Sequence, residues 1–276
     1  MKKLLTLTAL LLAVLVLAGC AKTPKPQDIL NDILQGQSDQ ISDIIGGVIG
    51  GDDDPKLPGR DKDDPYWDED DPAEPYFEFT EWKNELISNI NQTIYMDPDL
   101  GFEFDPSLVN IFEVDAVMWP SAMVWDDEEG IESFYAMMGY GDIKVDRKKD
   151  GAVVTYTKDN GSKVTFTGIM DEDDAHFKFD SLQDNGDHPY LELVRTAYGY
   201  AAQYYTGGLG MVNNLYLITV NGEDGMIGIV HDTERPEPLT RNLSYDFPMD
   251  AGEWYHYSNG KLTGVSRSGD SFEGQK

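Results

Sequence analysis

Ala152-Val153-Val154-Thr155-Tyr156-Thr157 and Lys163-Val164-Thr165-Phe166-Thr167 stand on either side of Asn160-Gly161. Both runs are rich in β-branched and aromatic residues and alternate from face to face, the period of a half-buried strand. Asn and Gly tolerate the left-handed backbone of a tight turn, so the stretch reads as an antiparallel hairpin. The pattern recurs downstream: Leu215–Val220 and Met226–Val230 flank Asn221-Gly222-Glu223-Asp224-Gly225, and Trp254–Tyr257 precedes Asn259-Gly260 and Lys261–Val265. Asn-Gly turns between β-rich runs predict an antiparallel meander from Asp142 onward.

Working outward, Tyr190–Tyr205 is ambiguous. Leu191, Val194, Tyr198, Ala201 and Tyr205 fit a helix face, whereas five tyrosines and Gly199 favour one long strand, which is the reading adopted. Upstream, Thr80 is placed to cap a helix whose Trp82, Leu86, Ile90 and Ile94 share a face. A second helix is expected from Asp126 or Asp127, with acids at its positive end, Ile131, Phe134, Tyr135 and Met138 buried, and a stop at Gly139. Between them the apolar stretch Asn110–Trp125, carrying Pro120, reads as strands at an edge or bend. The predicted class is α+β: a curved antiparallel meander of about seven or eight strands, rolling toward a barrel or offering a concave face, with about two helices.

The amino terminus carries a different message. Met1-Lys2-Lys3 is followed by an almost unbroken apolar run from Leu4 to Ala18, the layout of an export signal and shorter than a comfortable membrane span. It ends in Leu17-Ala18-Gly19-Cys20, which resembles the lipobox of bacterial lipoproteins. The resemblance covers only the first twenty residues. It implies that Leu17, Ala18 and Gly19 are read by the signal peptidase, that residues 1–19 are removed, and that Cys20 carries a diacylglyceryl group on the outer side of the cell membrane. Cys20 is also the only cysteine in 276 residues, so no internal disulfide is available. Two acyl chains suffice for stable anchoring without further membrane contact.

Residues 20–74 read as an acidic tether. Asp28–Ile49 places Ile29, Leu30, Ile33, Leu34, Ile41, Ile44, Ile45 and Val48 mostly three or four apart, the stripe of a short amphipathic helix weakened by glycines. Asp52-Asp53-Asp54-Pro55 and the acidic, proline-bearing run from Asp61 to Pro72 should be extended and solvated. The calcium-loop pattern D-x-D/N-x-D/N-G does not occur, which leaves weak cation association. Residues 75–276 are long enough for a single α+β globular domain.

The net charge is −30, and loss of Lys2 and Lys3 with the leader deepens it by two. Such a body is repelled by nucleic acid phosphates, so no nucleic-acid partner is expected. Catalytic signatures are equally scarce. No Gly-x-Ser-x-Gly elbow is present, the nearest approach being Gly264-Val265-Ser266-Arg267-Ser268, and with Cys20 alone thiol catalysis has no residue. His176, His188, His231 and His256 are scattered singly, without zinc-site spacing. The acid runs 171–176 and 184–188 are read as turns, and Gly207-Gly208-Leu209-Gly210 lacks the phosphate-cradling pattern. No catalytic residue, cofactor or metal is assigned.

The conspicuous enrichment is aromatic. On a strand, Tyr198, Tyr200 and Tyr204 point the same way, and on a concave sheet they form a candidate ligand-binding row. The expected function is a non-enzymatic, membrane-anchored envelope lipoprotein that binds a small ligand or an envelope protein. Two alternatives stay open: an assembly accessory docking through the Asp28–Ile49 stripe, and an envelope hydrolase using paired carboxylates.

Overall fold

A computed structural model describes residues 74–97, 100, 108, 110–118, 127–171, 176–209, 212–240 and 242–275, all within the second of two units into which the chain divides, Asp71–Lys276. The expected leader, Cys20 and the tether up to residue 73 lie outside the described residues. No described helix is long and apolar enough to cross a membrane.

Among the described residues three helices come first: α1 (Glu74–Met96), α2 (Asn110–Met118) and α3 (Glu128–Met137). In α1, Phe79, Leu86, Ile90 and Ile94 recur on one buried face, with Trp82 partly buried beside them. Fully burying each such side chain is worth about 1.5–3 kcal/mol. The helix starts earlier than expected, and Thr80 lies within its second turn, its hydroxyl donating to the Tyr76 carbonyl at 2.8 Å. Helix α3 matches its expectation closely: Asp127 caps it by accepting from the Gly130 N–H at 2.7 Å, and Ile131, Phe134 and Tyr135 are buried. That cap contributes about 1 kcal/mol.

Helix α2 is a correction, because Asn110–Trp125 was expected as strands. Ile111, Val114 and Met118 form a buried three-and-four-spaced face over Asn110–Met118, while the rest of the stretch, Pro120 included, lies outside the described residues.

Eleven strands follow in one sheet: β1 (Gly141–Lys148), β2 (Gly151–Thr157), β3 (Lys163–Asp171), β4 (His176–Gln183), β5 (Tyr190–Thr196), β6 (Gly199–Tyr205), β7 (Leu215–Asn221), β8 (Asp224–Val230), β9 (Glu253–Ser258), β10 (Lys261–Val265) and β11 (Ser271–Gln275). Each pairs antiparallel with its sequence neighbours, so the meander is as expected, but there are more strands and one more helix than predicted. The sheet does not close into a barrel; β1 and β11 are its two edges.

Part of the extra count comes from Tyr190–Tyr205, expected as one long strand and observed as the hairpin β5–β6. Its turn is Ala197-Tyr198, set by pairing of Thr196 with Gly199. Neither turn residue is a turn former. The signal was Gly199 itself, at φ 138°, where a side chain would meet the Val220 carbonyl oxygen at 2.3 Å. Strand β4 was hidden among acidic flanks, and β11 offers only Phe272 as an apolar marker.

One sheet face packs on the helices, α1 over β7–β11 and α2 over β4–β6, while α3 lies against β1. That face carries Val154, Phe166, Phe179, Leu193, Ala202, Ile218, Ile227, Tyr255 and Leu262 in one continuous core. The opposite face of the central strands is covered by residues 232–240 and 242–246, part of a strap joining β8 to a 3-10 turn (Phe247–Ala251) before β9. Thr219 Oγ1 donates to the Tyr245 carbonyl at 2.9 Å, and Gln203 Nε2 to the Glu237 carbonyl at 2.9 Å. Arg235 ion-pairs with Asp180 at 2.6 Å and lies 4.2 Å from the centre of the Tyr190 ring.

Candidate functional site

The described residues form a cleft of about 310 Å³ where the amino-terminal half of α1 meets the β5–β6 hairpin and the β7–β8 turn. Its walls include Glu78 and Trp82 from α1, Arg195, Tyr198 and Tyr200 from the hairpin, and Asn221 from the turn. Glu78 and Trp82 are four residues apart and so project from one side of the helix. Arg195 and Tyr200 are register partners on neighbouring strands, which puts them on the same sheet face. The hairpin turn therefore carries a cation and a phenol to the mouth of the cleft.

Each wall is positioned by a specific contact. Tyr200 donates its hydroxyl proton to Glu78 Oε2 at 2.5 Å, and its ring meets the Trp82 indole edge-on at 5.5 Å between centroids. Tyr198 donates to the Ser244 carbonyl at 3.2 Å, so the strap holds it from the far side. Burial pushes the Tyr198 phenol above its ordinary pKa, with Asp246 adding to the shift and Thr196 opposing it, so the side chain is a neutral donor at neutral pH. Arg195 is exposed and ion-paired to no described residue.

The expected row of Tyr198, Tyr200 and Tyr204 is not one row. Tyr198 sits in the turn, and Tyr200 and Tyr204 are buried toward the helices. Tyr204 is fully buried, its ring 6.2 Å from that of Phe79, and it does not line the cleft. Tyr198 and Tyr200 do line it. Glu78 and Arg195 were not singled out from sequence, and Trp82 and Asn221 were read only as a helix-face and a turn residue. The available signal was an arginine ending an apolar strand, together with an acid and a tryptophan one helical turn apart.

Elsewhere the polar groups hold the fold. Glu192, completely buried on the strap side of β5, accepts from His176 Nε2 at 2.6 Å, from Gln203 Nε2 at 2.6 Å and from the Leu239 N–H at 2.8 Å, with Lys178 Nζ at 3.4 Å. Burial alone would raise its pKa. The hydrogen bonds from His176, Leu239, Tyr190 and Gln203 together overcome that and hold the carboxyl below the ordinary glutamate value. On the helix side, His231 Nε2 donates to Glu253 Oε2 at 2.6 Å and the Tyr255 hydroxyl to Glu253 Oε1 at 3.1 Å. Between α1 and α2, the fully buried Lys83 ammonium pairs with Asp115 beneath the Tyr204 and Phe112 rings; burial lowers its pKa and Asp115 opposes the shift.

These contacts place the histidines and acid runs weighed in the sequence. His176 and His231 serve buried glutamates, His188 Nδ1 lies 3.0 Å from the Gly186 carbonyl, and His256 is in β9, where burial lowers its pKa against the pull of Asp224. Residues 184–188 form a turn in which Asn185 Oδ1 accepts from the Asp187 N–H at 3.0 Å. Of the acidic run 171–176, residues 172–175 lie outside the described residues. Among the described residues no three His, Cys, Asp or Glu are grouped to hold a metal ion. Comparison with protein-family models, curated proteins and solved structures finds no match for this chain.

Proposed function

We propose that this chain is a lipid-anchored protein of the outer side of the cell membrane whose folded domain binds a small ligand, or an exposed segment of an envelope partner, without turning it over. Cys20 supplies the anchor, the acidic stretch supplies distance from the headgroups, and the cleft supplies recognition. The observation that carries the binding role is Arg195: a guanidinium with no described partner, set in a cleft with Trp82, Tyr198 and Tyr200. The accessible lining is mostly polar, so recognition there would rest on Arg195 and its polar neighbours beside the Trp82 and Tyr198 rings. An enzyme would also need a positioned acid, base or nucleophile facing the cleft. Glu78 instead accepts the Tyr200 proton and supports a wall.

The address and the recognition are tested separately. Mass spectrometry of the mature amino-terminal peptide should find a diacylglyceryl thioether on Cys20, and Cys20→Ser should release the protein from the membrane fraction. An unmodified thiol in the native protein would remove the address. For recognition, Trp82→Ala and Arg195→Gln should weaken capture of ligand from cell-envelope extract while circular dichroism stays unchanged, and undiminished capture would remove the cleft.

A further inference from the structure

We propose that the edge of β1 is a docking surface for a second copy of this chain, the two β1 strands pairing antiparallel about a two-fold axis through Val145.

Strand β1 ends the sheet and is paired with β2 alone among the described strands. An edge strand presents a row of backbone donors and acceptors that can take up another strand. The side chains of β1 fall on two faces. Val145 and Arg147 are register partners of the buried Val154 and Ala152, which puts them on the helix side, where Ile143 and Val145 pack against the core. Lys144, Asp146 and Lys148 therefore point to the other side, and all three are exposed. Asp142 joins them there, accepting from Thr157 Oγ1 at 3.1 Å. The outward row thus reads acid, base, acid, base.

That alternation selects both the partner and the register. Two copies related by a two-fold axis perpendicular to the sheet pair antiparallel with like faces together. Residues directly opposite each other then share a face, so the axis must pass through a residue. With the axis at Val145, Lys144 of each copy stands opposite Asp146 of the other, and Val145 meets its own counterpart. An axis at Lys144 or at Asp146 sets that residue against itself and brings further like charges face to face. An axis at Arg147 sets two guanidinium groups against each other, and one at Ile143 runs into the bulge that shifts the register between Gly141 and Lys144. Opposite charges across neighbouring strands favour pairing and like charges oppose it. Charged edges ordinarily keep other strands away. This one keeps away strands without the matching alternation, and its own copy has the match.

The other edge lacks the property. In β11, Ser271–Gln275, Glu273 is the central residue, so self-pairing over the full strand sets it against itself. The field of the whole protein points the same way. At a net charge of −30 two copies repel each other, but residues 141–150 hold four bases against three acids, which relieves the repulsion at β1. One added strand pair buries less than the roughly 1,200–2,000 Å² of a standard interface, so the association belongs to the weak, reversible class.

The experiment is sedimentation equilibrium of the full chain carrying Cys20→Ser, in non-ionic detergent so that neither a thiol nor the apolar leader joins copies. The expected result is a reversible dimer that weakens as salt is raised. Lys144→Glu and Asp146→Lys each set like charges opposite at both positions and should weaken it roughly tenfold to a hundredfold. An equal mixture of these two variants should regain the parent affinity, because each introduced charge then meets its opposite across the axis. In the same Cys20→Ser background Val145→Cys should oxidise to a disulfide-linked dimer, whereas Lys144→Cys, displaced from its counterpart by two residues, should not. Circular dichroism of each variant establishes that it is folded. A monomer up to millimolar concentration overturns the proposal. So does a dimer that the charge reversals leave unchanged, a mixture no stronger than its components, or cross-linking of Lys144→Cys in preference to Val145→Cys.

Discussion

The central strands β5–β8 and the flanking strands β2, β3, β9 and β10 are built from the same antiparallel pairing but meet different surroundings. In β2 and β9 buried and half-buried residues alternate, the mark of one face on the core and one toward water. In β5, β6 and β8 burial runs almost without a break, because the helices cover one face and the strap of residues 232–240 and 242–246 covers the other. The difference shows in how polar side chains are treated. Thr155 and Thr165 on the flank are half-buried and face each other across β2 and β3. Glu192, Gln203 and Thr219 in the centre are buried, and each is hydrogen-bonded to another strand or to the strap. A buried polar group without a partner costs about 1–3 kcal/mol, and the hydrogen bonds of Glu192, Gln203 and Thr219 offset that cost.

The hardest blow to this contrast is Glu192→Ala. It removes the acceptor of His176, Lys178 and the Leu239 N–H and one of the two acceptors of Gln203, and should cost about 3–5 kcal/mol, as breaking a buried charge pair does. Thr165→Ala, on the flank, should change stability by about 0.5 kcal/mol or less. Urea unfolding of the two variants checks this, and equal losses would erase the distinction. In Glu192→Ala the strap should also become cleavable by protease between residues 231 and 246, since one of its anchors is the Leu239 N–H.

Acid should reach the same group without a mutation. The Glu192 carboxyl is held below its ordinary value when folded, so the unfolded chain binds the proton first. The contribution of Glu192 is therefore complete above the unfolded glutamate value of about 4.3 and is lost as pH falls through the lower folded value. Stability measured against pH should fall less steeply on the acid side in Glu192→Gln than in the parent, and parallel curves would contradict the assignment.

Gly199→Ala should cost about 1–3 kcal/mol, because the backbone there is left-handed and a methyl group meets the Val220 carbonyl oxygen. Thermal unfolding gives the size of the loss. Least affected should be Leu182→Ser at the end of β4, 56 % exposed: a change within about 0.5 kcal/mol, with a gain in solubility as the second readout.

How far the fold was legible follows from the same two surroundings. Flank strands alternate in sequence because one face is wet, and β2, β3, β9 and β10 were read correctly from period and Asn-Gly turns. Central strands do not alternate: β7 and β8 were found by their Asn221-Gly222 turn, whereas Tyr190–Tyr205 lacked a period to mark its fold-back and its Ala197-Tyr198 turn carried no Asn or Gly within it. Helix α2 was misread for a related reason. Nine residues with Ile111, Val114 and Met118 make too short a periodic run to outweigh an apolar composition.

The candidate site was less legible than the fold. Tyr198 and Tyr200 were named, but as part of a strand row with Tyr204, whereas Tyr198 sits in the hairpin turn and Tyr200 in β6. Glu78 and Trp82 lie more than a hundred residues before Arg195, and no local pattern links them.

By itself the sequence determined what is written in nearest neighbours: an antiparallel meander, two of the three described helices, the Asp127 cap, a strongly negative charge, and an amino-terminal run whose residues resemble a lipoprotein leader. Turn chemistry, periodicity and charge act over a few residues and need no fold to be read. Only the tertiary structure decided that the sheet stays open, that a strap packs on the second face of its centre, that Glu192 is buried and satisfied, and that Arg195 and Trp82 line one cleft. Those outcomes depend on which distant surfaces exclude water from one another, and that is a property of the packed chain rather than of any segment within it.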